Sequence, residues 1–153
     1  NNAKLTNRDF KTHLATILTE VRLKQYIEIR SLDTCEWDCH CGGPAFYAGL
    51  LYASLDEAYD IISKWNVSEV LNAYIEAPKK GLNTLIGSKT ILEWGKIFLK
   101  LSKAGLEKRS IKNKNGEDES KFLKSIENIL MIKKTKAEIA IEKFNINKSL
   151  NYN

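Results

Sequence analysis

Residues 21 to 30, VRLKQYIEIR, alternate with a period of two. Val21, Leu23, Ile27 and Ile29 fall on one side, with Gln25 the polar exception; Arg22, Lys24, Tyr26, Glu28 and Arg30 fall on the other. Strand geometry sends successive side chains to opposite faces, so this stretch predicts one long strand with an apolar face and a charged face. Elsewhere the period is helical. Residues 6–19 place Phe10, Leu14, Ile17 and Leu18 on one side behind a Thr6/Asp9 capping box. Pro44 suits the first position of a helix running to Ala53. Ser54 is predicted to cap a helix over 55–65, with Asp56 and Glu57 in the first turn where the helix dipole favours them. Ser68 opens another that is expected to end before Pro78. Gly81 and Gly87 bracket a short connection, and a long helix over about 89–108 aligns Ile91, Leu92, Trp94, Ile97, Phe98 and Leu101. Residues 119–132 and a segment capped by Thr135 and ending at Phe144 supply the last two helices. Residues 31–43 and 111–118 read as loops, and the Asn-rich tail 145–153 as frayed.

This inventory leaves the strand at 21–30 without a convincing mate, since Asn83 to Ile86 is the only other candidate and is short. A lone strand strands its backbone N–H and C=O groups, so its sheet partners are expected outside this sequence, in further chain or another subunit. The expected class is α+β: one long strand followed by a mostly helical bundle. Residues 1–43 would hold the first helix, the strand and a loop; 44–144 would be helical; 145–153 would be a tail. No internal repeat is legible.

Composition narrows the picture. At 153 residues the chain is long enough for one domain with a real core, and 43% hydrophobic with 28% charged residues is ordinary for a globular protein. No apolar run approaches membrane-spanning length. The chain opens at Asn1 and its only methionine is Met131, which suggests a fragment or a processed chain. No targeting segment is legible at the start, and Cys35, Cys39 and Cys41 cluster without distant partners, so a reducing, cytoplasmic setting is expected. The net charge of +5 comes mainly from 20 lysines spread along helices beside glutamates, against only four arginines. No aromatic-and-basic stacking motif accompanies them, so neither nucleic acid nor membrane is an expected partner.

Two of those four arginines, Arg22 and Arg30, sit on the charged face of the strand. A guanidinium offers a planar fork for carboxylate or phosphate that an ammonium does not. Glu28 lies two residues from Arg30 on the same face, and a carboxylate beside an arginine can hold a divalent cation while the arginine meets a phosphate oxygen. The pairing suits phosphoryl transfer from ATP; the plainer alternative is a sheet with one wet face. The CEWDCHC run brings three thiols and His40 close together, but it lacks a Cys-x-x-Cys pair and no second ligand pair follows, which favours unligated thiols over zinc. His13 and His40 have no visible catalytic partner, Trp65 and Trp94 fit core packing, and Trp37 could border a pocket beside the strand.

EVRLKQYIEIRSLD followed by CGGPAFYAGLLY resembles the C-terminal part of the glutamate–cysteine ligases of the plant and proteobacterial type. The likeness continues through Trp37, KAGLEKR at 103–109, GEDE at 116–119 and the helix that Thr135 opens. It spans nearly the whole chain but only about the last third of such an enzyme. The resemblance implies a glutamine-synthetase-like fold whose sheet curves around ATP, Mg2+ and the amino-acid substrates. It implies that glutamate's γ-carboxylate attacks the γ-phosphate of ATP and that the cysteine amine takes the acyl phosphate, in the first step of glutathione biosynthesis. Carried over, Glu28 becomes a metal ligand, Arg30 and Arg22 catalytic residues facing phosphate, and Lys24 and Tyr26, with Arg30, nucleotide-binding residues. Cys41 aligns with a cysteine that in the plant branch joins a redox-sensitive disulfide to a partner absent from this sequence. Cys35 and Cys39 depart from the glycine and basic residue of the family pattern. The expected partners are the missing N-terminal portion of the enzyme, glutamate and cysteine. Two other readings stay open: a non-catalytic helical interaction module whose strand completes a partner's sheet, and a related carboxylate–amine ligase with another amine acceptor.

Overall fold

The structure, a computed structural model, describes residues 4–16, 18–32 and 35–150. The chain is α+β and divides into two compact units, residues 1–34 and 35–153.

The first unit holds helix α1 (Asn7–Ala15) and strands β1 (Val21–Leu23) and β2 (Ile27–Ile29). Thr6 and Asp9 form the predicted capping box, each side chain taking the other's backbone N–H. The helix stops at Ala15 with Thr16 as its C-cap, short of the predicted end; Ile17 lies outside the described residues. The single long strand expected over 21–30 is instead an antiparallel hairpin, with Val21 opposite Ile29, Arg22 opposite Glu28 and Leu23 opposite Ile27. The chain turns at Lys24–Tyr26, where the Lys24 N–H donates to the Tyr26 carbonyl at 2.8 Å. The backbone groups that one strand would leave bare thus pair with the chain itself, which corrects the expectation that every partner lies outside the sequence. Odd residues pair with odd and even with even, so the two predicted faces survive the fold-back.

The second unit is helical. Helix α2 (Gly42–Ala53) starts two residues before Pro44, α3 (Leu55–Ile62) is shorter than predicted, and α4 (Val67–Lys80) runs through Pro78. Pro78 sits in the last turn, where its ring forfeits a single hydrogen bond before Gly81 at φ +54° ends the helix. Asn66 caps α4 by accepting the Ser68 N–H at 2.9 Å. A small hairpin of β3 (Leu85–Ile86) and β4 (Lys89–Thr90) turns at Gly87 and leads into α5 (Ile91–Arg109), which Thr90 and Glu93 cap as a second box. After a 3₁₀ turn over Glu119–Leu123 come α6 (Lys124–Ile132) and α7 (Lys136–Leu150). Thr135 and Glu138 form a third box, and α7 passes the predicted end at Phe144 to reach Leu150.

The core lies where α2 crosses α5. A side chain at Gly49 would collide with the Ser102 backbone, and one at Gly105 with the Gly49 carbonyl, so only hydrogen fits at either position. Buried Ser102 donates to the Phe46 carbonyl at 2.9 Å, and buried Ser54 to the Leu101 carbonyl at 3.1 Å. That second bond explains why Ser54 does not cap α3 as predicted: its hydroxyl is committed across the crossing. Around the crossing pack Ala45, Leu106 and Leu123, and beside them Leu50, Ala58 and Phe98. Trp65 and Trp94 take the predicted packing role, their rings 5.1 Å apart against Phe98, and the Trp94 indole N–H donates to the Ile86 carbonyl. No helix among the described residues is long and apolar enough to cross a membrane.

Candidate active site

The hairpin register decides the geometry of the charged face. Arg22 and Glu28 are a direct cross-strand pair, and the Glu28 carboxylate accepts from Arg22 Nε at 2.6 Å, with Nη2 also at 2.6 Å. Lys24 Nζ lies 3.7 Å and Arg30 Nη1 3.6 Å from the same carboxylate. Arg22 also donates from Nη1 to the Ala15 carbonyl at 2.6 Å, placing a cation against the negative C-terminal end of α1. With 12% of its side chain exposed, Arg22 is the most enclosed of the four; Glu28 is at 27%. Tyr26 is exposed at the turn, and the Lys24 ammonium stands 5.9 Å over its ring. So the structure brings together Arg22, Lys24, Glu28 and Arg30, with Tyr26 at the edge.

The electrostatics follow from that arrangement. The hydrogen bond from Arg22 holds the Glu28 carboxyl below its ordinary range, with the nearby charges of Arg22, Lys24 and Arg30 adding to the effect against a desolvation penalty. Three cations meet Glu28, and Glu20 lies on the same parity opposite Arg30, whose backbone N–H donates to the Glu20 carbonyl at 2.8 Å. A cleft of about 630 Å³ beside it is lined by Lys11, Leu14, Thr19, Val21, Arg22 and Lys24, among others. Lys24 and Arg30, at 3.7 and 3.6 Å from Glu28, are held less tightly than Arg22 and are the cations an anion would meet first.

A magnesium ion fits these residues poorly. Among the described residues no three or more His, Cys, Asp or Glu side chains converge, and Glu28 is one carboxylate whose neighbours are cations. An octahedral cation would draw its other protein ligands from outside this set.

The cysteine run differs from expectation. Cys35 and Cys39, predicted as unligated thiols, are joined as a disulfide with a Cα–Cα separation of 6.1 Å. The 3₁₀ turn Trp37–Cys39 brings the two within bonding distance, a spacing effect the loop assignment did not anticipate. Cys41 is free and exposed at the start of α2. Trp37 is 89% exposed and stacks at a tilt on His40, whose ring nitrogen lies 3.3 Å from the Glu36 carbonyl. Lys136 reaches Glu36 at 2.9 Å and ties this loop to the start of α7.

The direct Arg22–Glu28 contact was missed from sequence. Its signal would have been a turn, yet Lys24-Gln25-Tyr26 contains no glycine, asparagine or proline to announce one.

Comparison with known proteins places this hairpin and helical unit in a family. The family model described as "Glutamate-cysteine ligase family 2" matches residues 1–139. The chain is 34% identical over 139 residues to a chloroplastic glutamate–cysteine ligase of Solanum lycopersicum, covering 90% of this chain and 25% of that protein. It is 35% identical to the chloroplastic enzyme of Arabidopsis thaliana over 90% of this chain and 26% of that protein. Against chloroplastic glutamate–cysteine ligase A of Oryza sativa subsp. indica the identity is 36% over 87% of this chain and 26% of that protein. The chain belongs to glutamate–cysteine ligase family 2 and spans about a quarter of the length of these relatives. The cytoplasmic expectation is corrected here, because each of these relatives is a chloroplastic enzyme.

Proposed function

We propose that this chain is part of an ATP-dependent glutamate–cysteine ligase with a glutamine-synthetase-like fold, contributing its phosphate-facing strands to the first step of glutathione biosynthesis in a plastid. The observation that carries the reading is the convergence of Arg22, Lys24 and Arg30 on Glu28 at the face of one hairpin. In the ligation, a glutamate γ-carboxylate oxygen bonds to the γ-phosphorus of ATP as the bond to ADP breaks. The cysteine nitrogen then bonds to the acyl carbon and inorganic phosphate leaves. Charge builds on phosphate oxygens in the first step, and Arg30 offers a fork-shaped donor to them, while Arg22, its guanidinium committed to Glu28 and the Ala15 carbonyl, adds positive charge behind the face. Lys24 adds a point charge, and Tyr26 offers an aromatic wall to the nucleotide. Glu28 holds Arg22 in position, and any Mg2+ would draw its ligands from the rest of the enzyme. Family membership supports the reaction class.

The test is complementation. The chain is supplied to the remaining portion of a family member, and ATP-dependent formation of γ-glutamylcysteine is measured. Recovery of activity, with Arg30→Gln lowering kcat about a hundredfold, supports the proposal. Full activity in both Arg30→Gln and Glu28→Gln removes the phosphate-facing role.

One observation favours a second reading. Val21, Leu23 and Ile27 form an apolar face of the hairpin that stays exposed, Leu23 at 85%. Such a face suits a module that completes a partner's sheet. Tight association with the remaining portion in the absence of any ligation would favour that role.

A further inference from the structure

Helix α5 carries Lys96, Lys100 and Lys103 at spacings of four and three, one row along one face. Facing this row, α6 presents Glu127, Leu130 and Met131, and Lys133 sits just past its end in the left-handed conformation. Between the two helices runs a groove of about 540 Å³. Its floor is Leu99 and Leu130, with Leu130 buried against Gly95 of α5. Its rim is four lysines against one glutamate, and Glu127 is already engaged by Lys103 at 3.3 Å.

We propose that this groove binds a single-chain anionic amphiphile, a medium-chain fatty carboxylate. The groove is open along its length, so a chain can lie on the apolar side chains with its head group at the lysine rim. The apolar floor gives a hydrophilic anion such as free phosphate nothing to bury, and the lysine rim gives a neutral or cationic chain no head-group partner. Met131, 73% exposed, supplies a flexible apolar wall that adapts to a chain without fixed shape. The lysine stems lengthen that wall while their ammonium groups stay wet at the mouth. A nucleic-acid strand would find the lysines but no aromatic ring in the groove lining to stack on. The site lies wholly in the helical unit and is independent of the ligase reading.

The experiment titrates decanoate into the chain and follows binding by calorimetry and by amide chemical shifts. Decanol and decyltrimethylammonium serve as the neutral and cationic counterparts, and phosphatidylglycerol vesicles as the membrane arm. Saturable one-to-one binding of decanoate is expected, with shifts confined to the α5 and α6 positions named above. The two counterparts should bind at least about tenfold more weakly. The double substitution Lys96→Gln and Lys100→Gln should weaken decanoate by about tenfold and leave decanol unchanged. Met131→Ser should weaken both, with the melting curve confirming that each variant folds. Equal affinity for all three amphiphiles, binding that never saturates, shifts scattered over other apolar surface, or tighter binding to the vesicles would each overturn the proposal.

Discussion

In residues 35–153 the chain is organised around Leu106 and Leu123, which have no accessible surface, and around two helices that touch backbone to backbone. Among the described residues of 1–34 no side chain is buried, and the contacts that define the unit are polar: a capping box, a guanidinium against a helix end, and a carboxylate ringed by cations. The helical unit is therefore held by volume and the hairpin unit by charge and hydrogen bonding. Close packing resists solvent and salt, whereas exposed ion pairs add little stability and are screened. An isolated hairpin is marginal in water, and this one keeps its apolar face uncovered. The charged face proposed to meet phosphate thus sits on the less self-sufficient part of the chain.

The comparison breaks most sharply at the helix crossing. Gly105→Val would drive a Cβ into the Gly49 carbonyl, a backbone atom that cannot move aside as a flexible side chain would. A loss of about 3 kcal/mol or more is expected in chemical denaturation followed by tryptophan fluorescence, a signal dominated by Trp65 and Trp94 in the helical unit. Leu106→Ala, which empties a fully buried site, should cost about 3 kcal/mol by the same measurement. Arg22→Gln tests the other half. It removes both the bond to Ala15 and the pair with Glu28, so amide protection over residues 21–30 should fall while the tryptophan-reported transition stays in place. A shift of that transition with Arg22→Gln would show that the two units do not behave separately.

The smallest effect is set by pH. The Glu28 carboxyl is held below its ordinary value of 4.5 by Arg22. A depressed carboxylate stabilises the folded form above the unfolded value and loses that contribution as pH falls through the folded one. Hairpin amide protection should therefore hold above about pH 5 and decline below 4.5, and Glu28→Gln should flatten that decline. An unchanged profile in Glu28→Gln would place the acid sensitivity elsewhere.

Local chemistry was legible at helix starts. Thr6 with Asp9 announces one because the reciprocal bonds need only those side chains at that spacing, and Thr135 marked another as a cap, its partner Glu138 emerging only in the structure. The two faces of 21–30 were legible because parity survives either as one strand or as a hairpin; for the same reason, the pattern could not distinguish the two. Ser54 reads as a cap from its neighbours, yet its hydroxyl serves a helix distant in sequence, a tertiary use no local pattern carries. The Cys35–Cys39 bridge depends on a single 3₁₀ turn between them. The convergence of Arg22 and Glu28 was legible as composition but not as a contact, since it waits on a turn without turn-forming residues.

The meeting of α2 and α5 at Gly49 and Gly105 also determines where the polypeptide tolerates interruption. Everything between them in sequence, α3, α4 and the small hairpin at Gly87, is an excursion that departs from one spot and returns to it. A break or a grafted insert at that exposed hairpin tip leaves both halves of the junction intact, so the two pieces can find each other again by shape.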